Sequence, residues 1–61
     1  MDDLSKSVQR IIDSAQAIKN LIREKEQDST VGSLADVMIE NHLLTIRTNS
    51  SYIEETISVK G

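Results

Sequence analysis

A chain of 61 residues with a net charge of −3 allows one domain and a small core, because so short a polypeptide buries little of its surface. It has no Cys, Trp or Phe and a single His, which excludes disulfides, thiolate zinc sites, cysteine nucleophiles and any set of nitrogen metal ligands. Tyr52 is the sole aromatic residue, so the core is expected to be aliphatic and the missing stability to come from association.

Residues 3–27 contain neither Gly nor Pro. Leu4, Val8, Ile11, Ala15, Ile18 and Ile22 follow one another at steps of four and three, the a/d spacing of a heptad seam. Ile12 and Leu21 widen this stripe, and Ala17 alone falls behind it. Asp2 or Asp3 is placed to cap the first amides, and Arg23 and Lys25 lie in the last turn, where Glu24 and Glu26 dilute their benefit. The stripe either covers the core of a globular domain or zips against another helix. Ala15 favours the zipper by allowing close approach, and three heptads need a second helix to share the seam.

The break comes at Gln27-Asp28-Ser29-Thr30-Val31-Gly32. There Gly32 is available for a positive φ, and the Asp-Ser-Thr cluster competes for backbone hydrogen bonds. Ser33-Leu34-Ala35-Asp36 then resembles a capping box with aspartate in place of glutamate. So short a connection between helices predicts an antiparallel hairpin.

Continued as a helix, the second half places Ala35, Ile39, Leu43, Ile46, Ile53 and Ile57 along one side, with Ser50 at the missing step. Leu34, Val37, Leu44 and Tyr52 fall on roughly the opposite side, with Met38 between the two sets. The first set can cover the first helix. The second has nothing left in this chain to bury against and is the expected association face. Residues 43–59 carry a competing signal: Thr45, Ile46, Thr48, Ile53, Thr56, Ile57 and Val59 are β-branched, and Asn49-Ser50-Ser51 reads as a turn, so a β-hairpin of 43–48 and 52–59 is the alternative. Ser51-Tyr52-Ile53-Glu54, a proper capping box, and the step from Ile53 to Ile57 favour a helix, kinked or restarted near Asn49. Lys60 and Gly61 are expected to be disordered.

No arrangement of reactive groups emerges. His42 has no serine or carboxylate at a triad-like spacing and reads as an interface histidine. Asp36 and Glu40 share a face and would hold a hard cation only if a second copy added carboxylates, so they read as a solvated acidic edge. Glu54 and Glu55 are expected to face solvent. Lys6 and Arg10 project together while Lys19 and Arg23 point to another side, so no single basic stripe meets a phosphate backbone. Residues 1–30 carry five basic and six acidic side chains and residues 31–61 two and four, so neither half is a basic footprint. The first helix lacks the Trp or Phe and the basic polar face of a membrane-surface helix. No apolar run is long enough for a membrane span, and the acidic start is unlike a signal peptide. Asn49-Ser50-Ser51 matches a glycosylation pattern, which without secretion is an accident of sequence. The location expected is cytoplasmic, in a cell or in the cytoplasmic assembly of a virus or phage.

The expected fold is all-α: a helix over about 3–27, a loop over about 28–32, and a helix over about 33–48 that continues or restarts to about 58. It forms one helical hairpin domain that self-associates as a bundle or coiled coil. Its intrachain seam is expected to be Leu4, Val8, Ile11, Ala15, Ile18 and Ile22 against Ile39, Leu43 and Ile46. Its interaction face is expected to be Leu34, Val37, Met38, Leu44 and Tyr52. In length and hairpin plan the chain resembles the small plasmid copy-number proteins that dimerise as four-helix bundles. That resemblance is of architecture, carries no sequence motif, and implies a dimer. The expected function is a non-enzymatic protein-interaction module without cofactor or metal, a regulator, inhibitor, adaptor or assembly chaperone. Its partners are a second copy, in a homodimer, and another protein. The alternatives are a nucleic-acid regulator built from a helical dimer, or a structural subunit of a larger assembly.

Overall fold

The computed structural model describes the backbone of residues 2–60 and the side chains of residues 3–58. Helix α1 spans Asp2–Gln27, a 3₁₀ turn spans Ser29–Val31, and helix α2 spans Gly32–Lys60, with no strand among the described residues. The two helices lie side by side as an antiparallel hairpin of 47 × 15 × 12 Å. At 1.5 Å per residue α2 alone is about 44 Å long and accounts for nearly all of that length. Gly61 and the side chain of Asp2, one of the expected caps, fall outside the described residues, and α2 runs on through Lys60 where the sequence predicts disorder.

The reversal is tighter than a five-residue loop. Asp28 alone has extended backbone, with φ −143° and ψ 102°, and its amide still donates to the Glu24 carbonyl at 2.9 Å. Its carboxylate accepts from the Thr30 amide at 3.0 Å and from the Thr30 hydroxyl at 2.6 Å, so Asp28 caps the 3₁₀ turn. Gly32 is ordinary right-handed helix at φ −57° and ψ −47°, not the positive-φ hinge expected of it. The chain needs no left-handed residue because the 3₁₀ turn leads directly into α2. The box expected at Ser33 is displaced in the same way. The helix begins one residue earlier, and the Asp36 carboxylate accepts instead from Lys25 Nζ at 2.6 Å.

Residues 43–59 are helical, so neither the β-hairpin nor the break near Asn49 occurs. The residues that signal a strand or a turn are accommodated by local hydrogen bonds. Thr45 Oγ1 donates to the Asn41 carbonyl at 3.2 Å, Asn49 Nδ2 to the Thr45 carbonyl at 2.8 Å, and Thr56 Oγ1 to the Tyr52 carbonyl at 2.8 Å. Such bonds, four residues back, satisfy polar side chains without interrupting the helix. Ile39, Ile46 and Ile53, seven residues apart, meanwhile face α1 as half-buried side chains.

The seam between the helices is a true heptad on both sides, shifted from the expected one. On α1 it runs through Leu4, Ile11, Ile18 and Lys25 at one heptad position and Ser7, Ser14 and Leu21 at the other. On α2 Ile39, Ile46 and Ile53 alternate with Ala35, His42, Asn49 and Thr56. Leu4, Ile11, Ile18, Ile39 and Ile46 therefore stand where the sequence puts them. Val8, Ala15, Ile22 and Leu43 do not: they are exposed on the flank, one position round, and Ser7, Ser14, Leu21 and His42 take their places. Ala17, expected behind the stripe, is half-buried at its edge. The α1 stripe is wider than one neighbouring helix can cover. Ser7 and Ser14 take inner positions, while Val8 and Ile22 remain outside.

The core that results is thin. Leu21 (9% exposed) and Ala35 (3%) are the buried apolar side chains among the described residues, joined by the polar Ser7, Ser14 and Asn49. No described side chain is fully enclosed.

Candidate interaction surfaces

Two outer surfaces flank the seam, and the antiparallel register decides which residues share each. Tyr52 lies with Asp3, Lys6, Ser7 and Arg10 around an open groove of about 320 Å³. Tyr52 immediately precedes the seam residue Ile53, and Asp3 and Arg10 precede Leu4 and Ile11. The positions preceding the large aliphatic seam residues thus converge on one side of the hairpin. Met38, which precedes Ile39, belongs to the same side, with Leu34, Val37 and Leu44 on the adjoining back of α2. All five residues expected to form the interaction face, Leu34, Val37, Met38, Leu44 and Tyr52, are exposed, and they make one stripe on a single helix.

The positions that follow Ser7, Ser14 and Leu21 on α1, and Ala35, His42, Asn49 and Thr56 on α2, make the opposite side. They are Val8, Ala15 and Ile22, with Ile12 beside them, and Asp36, Leu43, Ser50 and Ile57. Val8, Ile12, Ile22, Leu43 and Ile57 are each between 43% and 61% exposed. The charge of α2 next to the seam on this side, Asp36, is matched by Lys25 across the seam; both are partly solvated, so the pair contributes less than about 1 kcal/mol. This second surface has no counterpart among the expectations from sequence, which assign its residues to the side that pairs within the chain.

The residues tested for chemistry are dispersed. His42 is half-buried in the seam between Ile39 and Ile46, and no described hydrogen bond joins it to a carboxylate or hydroxyl. Asp36 faces Lys25 rather than a shared site with Glu40, and the described residues hold no group of three potential metal ligands. Glu54 and Glu55 are exposed. The Thr30 hydroxyl first, and the Thr30 amide second, hold the Asp28 carboxyl below its ordinary range, which is the signature of a cap. The groove at Tyr52 is a feature that sequence spacing does not reveal, since it joins residues more than forty positions apart. No described helix is long and apolar enough to cross a membrane. No protein-family model matches the chain, and comparison with curated proteins and with solved structures finds no match either.

Proposed function

We propose that the protein is a non-catalytic interaction module that works as a homodimer of hairpins and offers a helical face to another protein, as a regulator, inhibitor, adaptor or assembly chaperone does. One observation carries this reading. The hairpin buries two apolar side chains among the described residues and leaves ten large ones exposed, from Val8 to Ile57. At about 25 cal/mol per Å² of buried apolar area, a seam of mostly half-buried side chains contributes modest hydrophobic stabilisation. Exposed apolar surface on this scale marks association.

Sedimentation equilibrium at micromolar concentration tests the proposal directly. Twice the chain mass of 6.8 kDa is expected, with helicity that falls as the protein is diluted. A compact 6.8 kDa monomer that melts cooperatively would overturn it.

A second reading rests on the groove, where the only aromatic residue stands beside Lys6 and Arg10. Base stacking on Tyr52 with phosphate contacts from the two cations is the chemistry of a nucleic-acid regulator. That reading requires a low-salt mobility shift that disappears as salt is raised.

A further inference from the structure

We infer that the second copy docks on the aliphatic side formed by both helices, with Val8, Ile22, Leu43 and Ile57 beside the seam and Ile12 at its α1 border, and that the α2 stripe through Leu34, Val37 and Leu44 stays outside the dimer. This rests on the self-association proposed above and assigns it a face.

Three observations support this face. The first is composition across the full width of the hairpin. On the aliphatic side α1 contributes Val8, Ile12, Ala15 and Ile22 and α2 contributes Leu43 and Ile57, so a copy laid across both helices meets apolar side chains on each. The other side is apolar on α2 alone. Its α1 half carries Asp3, Arg10 and Glu24, all exposed, and a second hairpin covering it would desolvate those charges.

The second is area. The hairpin presents a broad side 47 Å long and 15 Å wide. Two such sides in contact bury on the order of 1,400 Å² in total, within the range of specific, stable interfaces. The opposite broad side has the same extent, so composition separates the two, whereas the α2 stripe by itself is only one helix wide.

The third is charge at the border. Lys19 and Glu26, on the same line of α1 as Ile12, and Glu40, Arg47 and Glu54 at the matching position of α2 border the aliphatic side. A two-fold related copy can therefore set opposite charges against each other around an apolar centre, as interface rims do. At the loop end the Lys25–Asp36 pair already neutralises the charge that would enter the interface.

The test uses two variants of the full chain, each at an exposed position, followed by sedimentation. Ile12→Glu is expected to weaken the dimer at least tenfold, and Leu44→Glu to leave its dissociation constant within twofold of the parent. Dispersal by Leu44→Glu, or an Ile12→Glu variant as dimeric as the parent, would overturn the assignment while leaving self-association intact. A parent chain that is itself monomeric would remove both proposals. Should Ile12→Glu not fold, thiol labelling separates the two faces equally well, because the chain has no other cysteine. Ile12→Cys is expected to react with a maleimide at least tenfold more slowly above the dimerisation concentration than below it, whereas Leu44→Cys reacts at one rate throughout. Equal protection of the two thiols would overturn the assignment.

Discussion

Within the hairpin, Ser7, Ser14, His42, Asn49 and Thr56 occupy much of the seam, whereas Val8, Ile12, Ile22, Leu43 and Ile57 lie one helical position away and face outward. Both regions are built from the same heptads, and the polar residues stand on the inside. Small and polar seam residues let the helices approach and restrict their register, since a shift would bring Asn49 or a serine against the wrong neighbour. They contribute little hydrophobic stabilisation. The seam's own Leu and Ile supply part of it, and the exposed aliphatic residues add to it only where another molecule covers them. Orientation and cohesion are thus divided between two adjacent surfaces.

Substitutions on either side of this division should separate the two roles. The largest effect is expected at Leu21, the one large apolar side chain buried among the described residues. Leu21→Ala should destabilise by about 2 kcal/mol, at the lower end for buried leucines because the thin seam can collapse around it. Chemical denaturation followed by circular dichroism measures it.

Asn49→Leu should act in the opposite direction. It replaces a buried amide bonded only to its own helix and should raise stability by about 1 kcal/mol. The expected penalty is loss of a single register, seen as a broadened set of species in sedimentation velocity. A more stable variant that remained as uniform as the parent would show that Asn49 does not select the register.

Gly32→Ala sharpens the picture at the turn. Gly32 has helical dihedrals, and an added Cβ would meet nothing within 4 Å. A gain of about 0.5–1 kcal/mol is expected, from the lower entropy of the unfolded chain.

The smallest effect is that of pH on Asp28. Because Thr30 lowers its folded pKa, the carboxylate adds stability above its ordinary value of about 3.9. That contribution is lost as pH falls through the still lower folded value. The difference in melting temperature between the parent and Asp28→Ala should therefore narrow below about pH 4.

The two helices and their antiparallel pairing were legible from periodicity, and so was the choice of helix over strand for 43–59. The step from Ile53 to Ile57 pointed the right way, whereas the capping box read at Ser51 lies inside one continuous helix and starts nothing. The position of the seam was only partly legible. Apolar spacing alone favours Val8, Ala15 and Ile22 over Ser7, Ser14 and Leu21, because nothing in a pattern of hydrophobic residues assigns a serine to an interior. The signal that would have located it is the seven-residue recurrence of Leu4, Ile11 and Ile18 taken together with the serines three residues after Leu4 and Ile11. The groove at Tyr52 was beyond reach, since it depends on the rotation and axial register of the two helices, not only on their antiparallel pairing.

The change of direction in this chain is confined to very few torsions. Asp28 is the only residue between Asp2 and Lys60 that belongs to neither an α-helix nor the 3₁₀ turn. Were it to turn helical and the 3₁₀ turn to relax, those 59 positions would form one unbroken rod of roughly 90 Å. The clasp between Asp28 and Thr30 therefore sits at the one point between Asp2 and Lys60 where the direction of the chain is decided.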